Sequence, residues 1–187
     1  MFRTIINKKE VPAPNNISGW NIMTIGIVYY SRTGNTRAVA QILAEKLKQQ
    51  KAAVDLIEIE AEKRPGFFGA GRAAMKQIEI PIKKTGVDLG NYSTLVVGSP
   101  TWAGCCPPII KTFFSSAKNV KGKKTSMFIT GSGTPDPQGK PRQMMTRFLS
   151  DSGMTPSNQF LGLRMQKGKI TEGEQQIDGF VQSILSK

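Results

Sequence analysis

The chain has 187 residues, enough for one ordinary domain with a substantial core, and 39% of them are hydrophobic. It contains no histidine, which excludes Ser-His-Asp and Cys-His catalysis and most histidine-based metal sites. Lys and Arg number 26 against 13 Asp and Glu, a formal net charge of +13. Such a surface attracts acidic proteins and anionic substrates. No nucleic-acid recognition motif accompanies the charge, so we expect no specific nucleic-acid binding.

Two regions are predicted along the chain, an N-terminal extension over residues 1–22 and a folded domain over residues 23–187. The extension has no signal-peptide core, because Pro12, Pro14 and neighbouring asparagines interrupt it. Its apolar Phe2-Arg3-Thr4-Ile5-Ile6 segment is suited to pairing with an edge strand of its own sheet or of a neighbouring subunit. The second arrangement would give a homodimer. No apolar stretch reaches the length needed to span a membrane.

The first strand is predicted over Ile25-Gly26-Ile27-Val28-Tyr29-Tyr30, and the loop Ser31-Arg32-Thr33-Gly34-Asn35-Thr36 follows it. Apolar residues then recur at helical spacing from Val39 to Leu47. Hydroxyls and backbone N–H groups therefore surround the positive end of a helix dipole, an arrangement that binds a phosphate dianion. The alternative is that the Ser, Thr and Asn side chains only cap the helix. The loop lacks the Lys of an ATP-type phosphate loop and the three glycines of a dinucleotide fingerprint, which indicates a mononucleotide.

A second polar loop follows a later buried strand. The continuously apolar run Thr94-Leu95-Val96-Val97-Gly98 predicts a strand of a parallel sheet, and Ser99-Pro100-Thr101-Trp102-Ala103-Gly104 comes directly after it. Ligands of open α/β sheets lie at the carboxyl ends of such strands. An exposed Trp at this edge favours stacking on a flat ligand, whereas a Trp folded back onto the core is the alternative. Pro108 is predicted to begin the next helix.

A third loop of the same kind follows the strand Ser126-Met127-Phe128-Ile129. It reads Thr130-Gly131-Ser132-Gly133-Thr134, and its glycines allow backbone to approach a planar polar ring closely. Three such loops after three strands converge on one edge of one sheet. The remaining predicted elements are a strand over 53–59, a short helix over 72–77 within a long crossover, a helix over 138–150, a strand over 159–165 and a last helix over 172–186.

These motifs, in this order and spacing, resemble the flavodoxin family, and the resemblance extends over about residues 24–187. It implies a flavodoxin-like three-layer α/β/α sandwich, with a five-stranded parallel sheet of order 2-1-3-4-5 that binds one FMN non-covalently. By the same likeness, Ser31 to Thr36 hold the FMN phosphate. The Ser99 to Gly104 loop and the Trp102 ring border the isoalloxazine, and Thr130 to Gly133 approach its far side. Phe67 and Phe68, in a Gly/Phe/Arg-rich segment, are either a further cover of the flavin or part of the core.

The resemblance implies an FMN-binding electron-transfer protein that works with a separate redox partner. Flavodoxins that act as mobile carriers are typically acidic, so the charge of +13 indicates an acidic partner instead of a basic one. One alternative is an FMN-dependent NAD(P)H:quinone or nitro-compound oxidoreductase, in which Phe67 and Phe68 roof an open pocket. Another is a module that has lost its flavin and only binds partners, which the intact Thr33, Gly34 and Thr36 disfavour.

The two cysteines, Cys105 and Cys106, are adjacent in sequence. They lack metal-ligand spacing, and a disulfide between neighbours is strained, so we expect free thiols and a reducing, cytoplasmic location. They follow Gly104 directly, which places them either near the flavin or, as structural residues, at the start of a helix.

Overall fold

The computed structural model describes residues 23–133 and 135–186, where strands and helices alternate along the chain. The prediction for the arm over residues 1–22 lies outside these residues. The elements in chain order are β1 Thr24–Tyr30, α1 Asn35–Gln49, β2 Ala53–Ile59, α2 Phe67–Lys76, β3 Thr94–Pro100, α3 Pro108–Ser116, β4 Lys124–Gly131, α4 Lys140–Asp151, β5 Thr155–Gln166, β6 Lys169–Glu172 and α5 Ile177–Leu185, with a 3-10 turn over Glu174–Gln176 before α5.

The strands form one sheet of order β2-β1-β3-β4-β5-β6. The first five are parallel, so the predicted order 2-1-3-4-5 is confirmed. The sheet separates two hydrophobic clusters. One packs α1 and α5 against one face of the sheet, and the other packs α2, α3 and α4 against the opposite face. The result is the predicted three-layer α/β/α sandwich, a flavodoxin-like fold.

The five parallel strands are those predicted, and the sheet has in addition a sixth strand, β6, that pairs antiparallel with β5. Lys167 and Gly168 join the two strands and both have positive φ, 48° and 80°. This is the backbone of a tight two-residue hairpin turn, for which Asn-Gly is the usual sequence. The Lys-Gly pair gives a weaker signal. Because residues 169–172 form β6 and a 3-10 turn follows over Glu174–Gln176, the last helix begins at Ile177 and not at residue 172.

Helix α2 is longer than predicted, since it begins at Phe67 rather than near residue 72. Gly66, Gly69 and Gly71 disfavour helix in this segment. Its buried side chains are all alanines, Ala70, Ala73 and Ala74, which belong to the hydrophobic cluster that also contains the buried residues of α3 and α4. The small residues of α2 therefore lie on its buried side, and its large side chains Phe67, Phe68 and Met75 are exposed. The other predicted helices and strands are present with shifted ends, and Pro108 begins α3 as expected.

The part of the chain that the structure describes contains no helix both long enough and apolar enough to cross a membrane.

Candidate functional site

A cavity of about 650 Å³ opens at the carboxyl edge of the sheet, where the loops after β1, β3 and β4 meet helix α2. Of the residues predicted to form a site, those that line it are Arg32, Thr33, Asn35, Pro100, Thr101, Trp102, Ala103, Thr130, Gly131 and Ser132. The remaining lining residues come from α2 and are Phe67, Phe68, Ala70, Gly71, Arg72, Met75 and Lys76. The predicted residues outside the lining are Ser31, Gly34, Thr36, Ser99, Gly104 and Gly133.

The loop after β1 leaves the start of helix α1 open. Gly34 precedes the helix with a φ of 92°, a conformation that favours glycine, and its N–H donates to Ser31 Oγ at 3.2 Å. No described side chain caps α1, and no acidic residue lies in its first turn. Several N–H groups at a helix start have no partner within the helix, and the dipole is positive there. This end of α1 is therefore suited to an anion.

Two predicted loops are joined by a buried hydrogen bond. The hydroxyls of Thr36 and Thr130 lie 2.8 Å apart, and both side chains are buried. A bond between two hydroxyls uses one hydrogen and leaves the other for a further acceptor. Thr36 was predicted as a residue of the phosphate loop. The structure places its hydroxyl between the first and third loops and outside the cavity wall, while Thr33 lines the cavity.

The loop after β3 is a tight hairpin that directs Trp102 inward. Trp102 and Cys105 exchange two backbone hydrogen bonds of 3.0 and 2.9 Å, and the intervening Ala103 and Gly104 have φ of 46° and 71°. Positive φ at both positions is the signature of a type I′ turn. Trp102 is only 7% exposed, and its ring meets Tyr30 edge to face with centroids 5.5 Å apart. Of the two alternatives for Trp102, the structure shows the ring folded back onto the core, and the same residue also borders the cavity.

Thr101 carries a buried hydroxyl for which the described residues provide no hydrogen-bond partner. Its backbone N–H donates to the Thr130 carbonyl at 2.8 Å, which fixes the second loop against the third. A Cβ at Gly131 would lie 2.8 Å from the Gly133 carbonyl oxygen, so the third loop turns too tightly for a side chain there. Burying a hydroxyl without a partner costs about 1–3 kcal/mol. Thr101 also lines the cavity, which makes this hydroxyl a candidate hydrogen-bonding group for a ligand there.

Helix α2 supplies one wall of the cavity, and of its lining residues the sequence indicated only Phe67 and Phe68. Phe67 is 74% exposed and Phe68 is 89% exposed, and the two rings meet edge to face with centroids 5.7 Å apart. The Arg32 guanidinium lies 5.7 Å from the Phe67 ring centre, and its Nε donates to the Pro65 carbonyl at 3.3 Å. Neither Phe belongs to the core. Only the Gly/Phe/Arg-rich segment itself signalled this wall.

The two cysteines are free and buried, and neither lines the cavity. Cys106 Sγ lies 3.4 Å from Ser99 Oγ, and burial raises the pKa of its thiol to about 12. A thiol with so high a pKa is protonated at neutral pH and is a poor nucleophile. The structural role at the start of α3 therefore fits Cys106 better than a role beside a bound ligand.

The raised pKa of Cys106 predicts a loss of stability at alkaline pH. The unfolded thiol ionises near its ordinary pKa of 9.0, whereas the folded thiol holds its proton to about pH 12. The stabilisation is thus complete below pH 9 and is lost as pH rises toward 12, at up to about 1.4 kcal/mol per pH unit. Urea unfolding of reduced protein at pH 9 and pH 10 should show a drop about 1 kcal/mol larger than in Cys106→Val. Equal drops in the two proteins would contradict this prediction.

Comparison with known proteins identifies one family and several solved structures that share this fold. The model of the family described as NADPH-dependent FMN reductase matches residues 23–166. No curated protein is significantly similar to the chain.

Several solved structures share the fold at low sequence identity. A protein from Bacteroides eggerthii described as a flavoprotein has 21% identity and a TM-score of 0.65, covering 88% of this chain and 99% of that one. A flavoprotein from Lactobacillus acidophilus in complex with FMN has 21% identity and a TM-score of 0.59, with 85% and 98% covered. Reduced Megasphaera elsdenii flavodoxin has 16% identity and a TM-score of 0.55, with 87% and 99% covered.

Proposed function

Because the chain belongs to the family of NADPH-dependent FMN reductases, we propose that it is an FMN-dependent oxidoreductase that passes electrons from NADPH to a small aromatic acceptor. The chain is an FMN-binding flavoprotein of the flavodoxin-like fold. When bound, FMN supplies the redox chemistry, because it can take one or two electrons. The overall reaction with a quinone balances as NADPH, one proton and the quinone giving NADP⁺ and the hydroquinone.

The residues at the cavity fit FMN. Thr33 and Asn35 beside the open start of α1 would hold the phosphate, since N–H groups and the helix dipole favour a dianion there. The unpartnered Thr101 hydroxyl and the backbone of the second and third loops would border the flavin ring. The cavity volume of about 650 Å³ falls within the range of pockets that hold a whole small-molecule ligand, about 300–1,000 Å³.

The single observation that carries the choice of a reductase is the open apolar wall of α2. A carrier needs only an exposed flavin edge, whereas a reductase needs room for a second substrate beside the flavin. Phe67 and Phe68 present exposed rings to this space, and aromatic rings pack favourably against a flat substrate. Covering the substrate with these rings would also exclude water from it.

The test is NADPH oxidation by the purified, FMN-loaded protein with a quinone and with no other protein present. We expect steady turnover that saturates with both substrates. A protein that is yellow with FMN but inert until a separate reductase is added would be an electron carrier, and the proposal would be wrong. A protein that takes up no FMN would contradict the fit described above.

The arm over residues 1–22 supplies a further prediction. The family match begins at residue 23, and the cavity lining given by the structure comes from residues 32–132. A chain shortened to residues 23–187 should therefore fold and bind FMN with unchanged affinity, measured by titration of flavin fluorescence. A smaller apparent mass in solution would assign assembly to the arm. Loss of FMN binding would mean that the arm builds part of the cofactor site.

A further inference from the structure

We propose that the cavity selects planar aromatic molecules that carry an anionic group, such as a carboxylate or a sulfonate, through Arg72 and Lys76 of helix α2. This inference rests on the proposed function and deepens it, because it names the class of the electron acceptor. The aromatic part would lie against the apolar residues of α2, and the anionic group would lie at the two cations.

The apolar part of the site is unusual for a protein surface. Phe67, Phe68 and Met75 are 74%, 89% and 67% exposed, and all three line the cavity. Contiguous exposed apolar side chains commonly mark a binding site. Phenyl rings pack on other rings, and the thioether of a methionine makes favourable contacts with aromatic groups. The composition of this wall favours an aromatic ligand over an aliphatic or sugar-like one.

The charged side chains at the cavity are all positive. Among the described residues that line the cavity, three are cationic, Arg32, Arg72 and Lys76, and none is acidic. Arg72 and Lys76 form no ion pair with any other residue in 23–133 or 135–186. They are spaced four residues apart, so they lie on the same side of α2. Two cations without an ion-pair partner among the described residues, beside an apolar wall, are complementary to an anion on an aromatic ring.

These two cations are separated from the place expected for the FMN phosphate. The first turn of α2 lies beside the phosphate loop, since Arg32 contacts Phe67 and Pro65. Arg72 follows Phe67 by five residues and Lys76 by nine, which is about 7 and 13 Å along a helix axis. A Cβ at Gly71 would lie 3.7 Å from Ala103, so the middle of α2 lies at the loop after β3. The charges of Arg72 and Lys76 are therefore available to a second molecule.

The test compares two ligands that NADPH does not reduce and that differ in one group, which is anionic in one and neutral in the other. Naphthalene-2-sulfonate and naphthalene-2-sulfonamide share one ring system, and their binding to the FMN-loaded full chain can be measured by calorimetry. We expect the sulfonate to bind about tenfold more tightly. In the double variant Arg72→Gln, Lys76→Gln the two affinities should become nearly equal. The control variant Lys48→Gln, Lys111→Gln removes two exposed charges outside the cavity and should keep the tenfold preference.

Several results would overturn the inference. One is an equal affinity for both ligands in the unchanged protein, and another is a preference that survives in the Arg72, Lys76 variant. If that variant loses NADPH affinity as strongly as sulfonate affinity, the cations serve the dinucleotide and the assignment to the acceptor is wrong. FMN content and melting temperature should match those of the control, since all four side chains are exposed.

Binding of an inert ligand does not depend on turnover, so the two proposals fail separately. A preserved charge preference without NADPH oxidation would contradict the reductase and support the anion site. Turnover with a quinone but without any charge preference would contradict the anion site alone.

Discussion

Replacing Asn35 by Asp is expected to weaken FMN binding about a thousandfold while making the FMN-free protein slightly more stable. The substitution keeps the shape of the side chain but places a carboxylate at the first residue of α1, where Asn35 lines the cavity. Two unit charges about 4 Å apart interact by about 4 kcal/mol in a partly buried site, which corresponds to about a thousandfold in affinity. A carboxylate at a helix start instead stabilises the helix by about 0.3–1 kcal/mol.

The substitution is expected to lower FMN affinity and to raise the stability of the FMN-free protein, so a general loss of folding cannot explain both results. FMN affinity is measured by fluorescence titration, and the melting temperature of FMN-free protein should rise by about 2 °C. The matched control is Asn91→Asp, which adds the same charge at an exposed position just before β3, at the other end of the strands. The control should change FMN affinity little. If Asn35→Asp binds FMN as tightly as the control does, the phosphate does not lie at the start of α1.

Replacing Gly98 by Ala is expected to destabilise the fold by about 3 kcal/mol. Gly98 pairs with Phe128 across β3 and β4, and a Cβ there would lie 2.1 Å from the Cζ atom of the Phe128 ring. Phe128 is fully buried between the sheet and its helices, so its ring has little room to move. Overpacking of this kind typically costs 1–3 kcal/mol, and occasionally more. Urea unfolding at pH 7 measures the loss.

A second substitution tests the cause of that loss. Phe128→Leu replaces the ring by a shorter aliphatic side chain that removes the Cζ atom. The double variant with Gly98→Ala should therefore be at least about 1.5 kcal/mol more stable than the sum of the two single effects predicts. Gly179→Ala is the control, because Gly179 lies in α5 with no heavy atom within 4 Å of the new Cβ. That change should stabilise the protein by about 0.5–1 kcal/mol. Strict additivity at Gly98 and Phe128 would exclude the clash as the cause.

The sequence predicts the sheet and the three loops well because their signals are local. The apolar runs of β1, β3 and β4 are each followed at once by glycines and hydroxyl side chains, and parallel strands bring such loops to one edge. Ten predicted loop residues do line the cavity. That FMN contacts them stays a prediction.

The features that the sequence did not predict depend on tertiary packing. The sequence left open whether Trp102 is exposed or folded onto the core, and a type I′ turn with Ala103 at positive φ places its ring against Tyr30. Phe67 and Phe68 are large hydrophobic residues of the kind that usually fills a core, but alanines form the core-facing side of α2. Which side of a glycine-containing helix is buried is decided by the neighbours it meets, and a single sequence does not reveal them.

Strand β6 also has a consequence for how this protein behaves at high concentration. It pairs with Arg164, Met165 and Gln166 at the end of the twelve-residue β5, where the outer edge would otherwise present a row of unpaired backbone groups. Such a row is a template for the strands of other molecules and promotes aggregation. The strand that replaces it at the margin has four residues and begins and ends with the charged Lys169 and Glu172. At this end of β5, so short and charged an edge disfavours edge-to-edge pairing with a strand of another molecule.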